Sequence, residues 1–172
     1  MSFPTPKGSF ALPMVQLRTI VSLSKEFQSQ TNSDTSDDAL KHISFTRVGE
    51  DKKPRPFACV MLGDSHNYRQ ISGGDANFLI PDGNVALYMT RDTNPLYRDD
   101  LDAATIDAAN FFGTVIDQVV EYSGQDNTHS DVSHLPITTV TLSVFGDSGD
   151  EEQNSIGDFF FAVYLLTWGI GI

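Results

Sequence analysis

The run Leu62-Gly63-Asp64-Ser65-His66 follows an apolar stretch, and Asp131-Val132-Ser133-His134 lies farther along the chain. Serine, histidine and carboxylate are the parts of a hydrolytic triad. His134 would take the hydroxyl proton of Ser65, and Asp131 would hold the imidazole in the correct tautomer. The competing reading is that Gly, Asp and Ser are turn formers. A second Gly-Asp-Ser, Gly146-Asp147-Ser148, sits in an acidic turn and favours that reading.

Other chemistry finds less support. The histidines His42, His66, His129 and His134 are scattered among loops and strand edges, and neither HExxH nor a Cys-His set occurs, so no metal site is expected. Asp147, Asp150, Glu151 and Glu152 lack the alternation and bounding Glu of a calcium loop. Ser72-Gly73-Gly74-Asp75 is too short for a phosphate loop and carries no lysine. The single cysteine, Cys59, lies in the apolar run Phe57-Ala58-Cys59-Val60-Met61-Leu62, as a buried, inert thiol would. No cofactor is expected. Lys52, Lys53 and Arg55 form a proline-bounded basic loop without interleaved aromatics, which makes a poor nucleic-acid platform and reads as a solvated hairpin tip.

The elements that must position these residues belong to one domain, residues 1–172, large enough to bury roughly 70% of its unfolded surface. The chain carries 11 Lys+Arg against 23 Asp+Glu, a net charge of −12, which opposes tight contact with DNA phosphates. A surface past which DNA slides without sticking suits that balance. The N-terminus shows no signal-peptide pattern, and the most apolar stretch, from Phe159 to Trp168, is too short for a membrane helix, so a cytosolic protein is expected.

Residues 1–10 read as an extended arm, followed by a core over residues 11–169. Pro13 suits the first turn of a helix over residues 13–28, with Met14, Leu17, Ile20, Val21, Ser24 and Phe27 on one face. The polar segment 28–38 reads as a mobile loop. Strands are predicted over residues 43–48, 57–62, 76–80 and 84–90, with Pro81-Asp82-Gly83-Asn84 as a tight hairpin between the last two. A long helix over residues 98–122 presents Leu101, Ala104, Ala108, Phe112, Val115, Val119 and Tyr122, widened by Ile106, Ala109 and Ile116. Strict alternation from Ile137 to Phe145 predicts a strand with one core face. The last strand, from Asp158 to Trp168, is apolar on both faces, as a central strand covered by helices would be. The fold class is therefore α+β: a mixed, mainly antiparallel sheet of five or six strands with two principal helices packed on it.

Two resemblances attach to these residues. Gly63-Asp64-Ser65 with Asp131 and His134 resembles the blocks of GDSL-type serine esterases. In that family, however, the nucleophile strand lies near the start of the chain and a helix follows the histidine. The order of elements, with Arg55-Pro56-Phe57-Ala58-Cys59-Val60, Val85-Ala86-Leu87-Tyr88-Met89 and the aromatic run Phe161 to Trp168, resembles the tail terminator or tail completion proteins of long-tailed bacteriophages over most of residues 11–169. That second resemblance implies a non-enzymatic virion protein of the tail and neck, assembled in the host cytoplasm. It implies a homo-oligomer, typically a hexameric ring, that caps the tail tube protein, docks the head-tail connector and lets genome DNA through. A related neck protein, such as a head-tail stopper, has similar ingredients. Under this reading the candidate assembly loops contain Ser33 and Asp34; Asn67, Tyr68 and Arg69; and Asp147, Asp150, Glu151 and Glu152.

Overall fold

The computed structural model describes residues 4–73, 76–123, 137–149 and 156–169. Helix α1 (Gly8–Leu23) starts before Pro13, so the proline sits inside the helix, where it lacks the N–H that would bond the Ser9 carbonyl. Residues 8–10 are thus helical rather than part of an extended arm. Leu17, Ile20 and Val21 are fully buried, as their spacing predicts. The single predicted helix breaks at Ser24, whose extended backbone starts α2 (Lys25–Gln30). The Ser24 hydroxyl accepts the Phe27 N–H at 3.1 Å and donates to Gln118 Oε1 at 2.7 Å. A polar side chain has ended one helix by capping the next.

Segment 28–38 is likewise more ordered than a mobile loop. Thr31 is buried, and its hydroxyl donates to the Phe27 carbonyl at 2.8 Å. Thr35 caps α3 (Ser36–Leu40) by accepting the Asp38 N–H. Arg18 ties α1 to the end of α3 and to the first strand, donating to the carbonyls of Leu40 and Ile43 at 3.0 Å each. Burial of its guanidinium pulls its pKa down.

The predicted first strand shrinks to β1 (Ile43–Ser44), which pairs parallel to β2 (Phe57–Gly73). The intervening stretch folds into a 3₁₀ turn at Glu50–Lys52, held by Arg47 donating to both Glu50 carboxylate oxygens at 2.7 and 2.9 Å. Strand β3 (Ala76–Asp92) runs unbroken through Pro81-Asp82-Gly83-Asn84, so the predicted hairpin there is wrong. The chain reverses between Gly73 and Ala76, which pair directly.

A 3₁₀ turn at Pro95–Tyr97 leads into α4 (Leu101–Ser123), started by the Asp100 carboxylate accepting the Ala103 N–H. Ala104, Ala108, Phe111, Phe112, Val115, Ile116 and Val119 are its buried stripe. Phe111 belongs to that stripe, whereas Ile106 is 61% exposed and Ala109 also faces solvent. Strands β4 (Ile137–Asp147) and β5 (Phe159–Trp168) complete a mixed five-stranded sheet in the order β1-β2-β3-β5-β4, antiparallel except for β1. The α+β class with a mainly antiparallel sheet is as expected.

All the packed helices lie on one face of this sheet. Phe112 of α4 meets Phe145 of β4 edge-on, and Phe145 stacks near Phe160 of β5, each ring pair 6.0 Å apart. Burying each such ring contributes about 1.5–3 kcal/mol. Along β5, Phe160, Ala162, Tyr164, Leu166 and Trp168 are buried on the helix side, and the alternate residues are only half-buried. The last strand is therefore flanked by β3 and β4 but covered by helices on one face alone. Two register shifts in β4, at Ile137/Thr139 and Leu142/Val144, break its predicted strict alternation. They put Ile137, Val140 and Phe145 against the core while Leu142 and Val144 stay exposed. No described helix is long and apolar enough to cross a membrane.

Truncating Phe112 to Ala should cost about 3–5 kcal/mol in denaturant unfolding, because it empties the centre of this contact. Ile106→Ala should stay within about 0.5 kcal/mol of the parent, despite the same apparent periodicity.

Candidate assembly surfaces

The Gly63-Asp64-Ser65 run is a bulge. Leu62 pairs with Val85 and His66 with Gly83, so three residues of β2 oppose Asn84 alone. Asn84 pins them: its Oδ1 accepts the Ser65 N–H at 3.3 Å and its Nδ2 donates to Asp64 Oδ1 at 2.6 Å. A Cβ on Gly63 would overlap the Asn84 side chain, and one on Gly83 would come within 2.7 Å of the Ser65 carbonyl oxygen, so both glycines are required by close approach. Ser65 lies within an extended strand rather than at a strand-to-helix elbow. Asp131 and His134, the other members of the sequence-read triad, lie outside the described residues, as does His129.

Beyond this bulge the sheet narrows to two strands. Pairing of β3 with β5 ends at Gly83 opposite Trp168, and β1 reaches only Ala58 and Cys59 of β2. From His66 to Gly73, β2 pairs with β3 and no other described strand, and from Ala76 to Asp82, β3 pairs with β2 alone among them. Eight residues at about 3.3 Å each make an arm about 25 Å long. At its root, His66 packs 3.7 Å from the Phe10 ring of α1, 5.4 Å from Tyr68 and 6.1 Å from Trp168. Gly83 stands between His66 and Trp168 in the row. His66 is therefore an aromatic-packed residue, not a solvated loop histidine. Farther out, Asn67, Tyr68 and Arg69 are exposed, Tyr68 at 58% and Leu79 at 68%. Arg69 lies 3.4 Å from Asp82 across the ribbon.

The sheet face away from the helices is a second apolar surface. Phe57, Cys59 and Tyr88 are buried there, with Met61, Phe161 and Val163 packed beside them. The 45–56 segment covers one end: the Arg47 guanidinium sits 4.0 Å over the Tyr88 ring, and Lys53 donates to Ser44 Oγ at 2.7 Å and to the Thr46 carbonyl at 2.9 Å. Arg55 pairs with Asp92 at 2.6 Å and lies 4.4 Å over Phe159. Two of the three basic residues are thus spent inside the fold, and the segment joins parallel strands instead of forming a hairpin tip. Cys59 is fully buried, its thiol 3.2 Å from the Thr46 carbonyl. Burial raises the Tyr88 hydroxyl above its ordinary pKa, and the Arg47 hydrogen bonds hold Glu50 below the usual carboxylate range.

The remaining candidate loop residues scatter. Ser33 is half-buried and shares a 2.8 Å hydroxyl contact with Thr31, while Asp34 is exposed nearby. Asp147 ends β4 and accepts the Gly157 N–H at 3.1 Å, a local role. Asp150, Glu151 and Glu152 lie outside the described residues. Among the described residues no group of three His, Cys, Asp or Glu side chains is placed to hold a metal.

The chain matches no protein-family model and no curated protein sequence. Geometry alone therefore distinguishes its surfaces. The site residues that sequence reasoning passed over are Leu79 and the outer edge of β4. The first was hidden by a misplaced turn, and the second shows only once strand order is known.

Two outcomes test these surfaces. Because the depressed Glu50 pKa stabilises the folded turn above the ordinary glutamate range, that contribution is lost as pH falls through the depressed value. Hydrogen-exchange protection of the Lys52 and Lys53 amides should drop over that window, and Glu50→Gln should show the weaker protection at every pH. On the arm, Leu79→Glu should leave the unfolding free energy within about 0.5 kcal/mol of the parent.

Proposed function

We propose that the chain is a structural ring subunit of a bacteriophage neck, similar to a tail terminator. In this reading it caps the tail tube, meets the head-tail connector and surrounds the passing genome. The observation that carries the reading is the arm of β2 and β3 beyond Gly83. A two-stranded ribbon is marginal in water, and no third described strand pairs with this one, so a neighbouring molecule that packs on it would add stability. The half-open apolar face around Met61, Phe161 and Val163 adds a second surface for contact.

The charge supports the same reading. Among the described residues, Lys41, Arg47, Arg55, Arg69 and Arg91 pair with carboxylates, so much of the acidic surplus is left facing solvent. Asp102, Asp117 and Glu121 lie exposed along α4. A ring with such a surface would repel phosphates and give DNA no well in which to stick. The role is binding and assembly; no catalytic residue, cofactor or membrane contact is assigned.

Mass photometry of the purified chain, alone and mixed with tail tubes, tests the proposal, with negative-stain imaging of tube ends. Closed oligomers seated on tube ends are expected. A chain that stays monomeric and leaves the tubes uncapped would overturn it.

A further inference from the structure

One small cavity is opposite in charge to the chain around it. It lies where the end of α3, strand β1 and the 45–56 segment meet, has a volume of about 130 Å³, and is lined by Lys41, His42, Ser44, Lys53, Pro54 and Phe57. None of these six is acidic, in a chain whose net charge is −12. Strand β1 accounts for the placement. Ile43 is buried in the helix-side core and pairs with Ala58, so strand alternation turns His42 and Ser44 to the opposite face, beside the buried Phe57. The His42 carbonyl accepts the Ala58 N–H at 2.9 Å, which ties this corner to β2.

Lys53 is fixed in the cavity wall but not neutralised there. Its ammonium donates to Ser44 Oγ at 2.7 Å and to the Thr46 carbonyl at 2.9 Å, and both acceptors are uncharged. An ammonium has three N–H donors, so one is left over. Glu50, three residues back in the same turn, gives both carboxylate oxygens to Arg47. The Ser44 hydroxyl hydrogen goes to the Thr46 carbonyl at 2.8 Å, so Ser44 positions the lysine and does not itself donate into the cavity. At the rim, Lys41 bonds Asp38 at 2.7 Å with the two side chains 75% and 44% exposed. An exposed pair of this kind is weakly held, and the Lys41 ammonium has further donors to offer. The half-buried His42 imidazole carries an N–H donor in either tautomer. Phe57 and Pro54 supply apolar walls, beside which each charged contact is stronger than in open water.

We infer that this cavity binds a small oxyanion of the phosphate type, held by the ammonium groups of Lys53 and Lys41 with the His42 imidazole as a further donor. Volume sets the size of the ligand. A cofactor-sized molecule needs about 300 Å³ or more, so only the phosphate group itself enters. Two ammonium groups favour a doubly charged anion over a singly charged one. The group comes either as the free ion or as the terminal phosphate of a monoester, whose remainder stays outside past the exposed Lys41 and Pro54. A phosphodiester carries one negative charge and is substituted on both sides, so the DNA backbone does not fit. The site is independent of the ring proposal.

An NMR titration of the full chain, isotope-labelled at nitrogen, with inorganic phosphate at constant ionic strength tests it. The amides of Lys41, His42, Ser44 and Lys53 should shift together and saturate, and acetate should bind at least about tenfold more weakly. Lys53→Gln removes the charge and retains an N–H donor, and it should weaken phosphate binding about tenfold. Lys41→Ala, at the exposed rim, keeps the fold intact whatever Lys53→Gln does to the turn, and should weaken binding about threefold. Phenyl phosphate identifies the source. Shifts at the same four amides with comparable affinity assign the site to phosphomonoesters, and their absence while inorganic phosphate still binds assigns it to the free ion. Shifts spread over lysines throughout the chain without saturation would overturn the site, as would acetate binding as tightly as phosphate or an unchanged affinity in both variants. None of these results bears on the ring proposal, which tube capping tests separately.

Discussion

One helix layer covers one sheet face, and the rest of the molecule is shaped by that constraint. The apolar stripe of α4 and the inner faces of α1 and α2 bury the alternate residues of β3, β4 and β5, with the Phe112–Phe145–Phe160 contact at the centre. Nothing comparable among the described residues lies over the other face, although β5 is as apolar there. The 45–56 segment covers the end near Tyr88 by laying arginine and lysine stems over aromatic rings, a cover that is polar on its outside. The remainder of the face is left partly open.

Polar groups set how the helix layer is seated. Gln118 of α4 accepts from both the Ser24 hydroxyl and the Glu26 N–H, which fixes the joint of α1 and α2 against the long helix. Arg91 of β3 reaches the Asp107 carboxylate at 3.1 Å and the Asp107 carbonyl at 3.3 Å, joining the sheet to the start of α4. Arg18 does the same for the short β1 strand. These bonds add orientation more than net stability, because each desolvated group gives up hydration to make them.

The parts legible in the sequence were those with one dominant period. α4, β5 and the buried half of β2 announce themselves by spacing alone, and the class of the fold follows from their order. The misread parts are places where one residue type serves two structures. Thr31 and Thr35 compete for backbone hydrogen bonds, which suggests a loop, yet here they win that competition at helix ends, and Ser24, expected inside one helix, ends that helix by capping the next. Pro81 and Gly83 suggest a turn, yet past Gly83 strand β3 has a partner on one side only, where proline is tolerated. Gly83 answers the neighbouring bulge. Alternation in β4 cannot reveal its bulges, since each extra residue is visible only against a partner strand. The same ambiguity governs Gly63-Asp64-Ser65: its donors and acceptors are the ones a nucleophile block or a bulge would use, and only the position of Asn84 distinguishes their backbone role. Neither the arm nor the place of β4 as the last described strand is written in the sequence pattern, because both are properties of strand order.

The root of the arm has a further consequence. Trp168 is the chain's single tryptophan, and it sits at the junction where the five-stranded sheet gives way to the two-stranded ribbon, its ring 6.1 Å from that of His66 with Gly83 between them in the row. Any swing of the ribbon on its bulge changes the ring packing around that indole. The molecule thus carries its own optical probe, in which the intrinsic fluorescence of one side chain reports the posture of the arm.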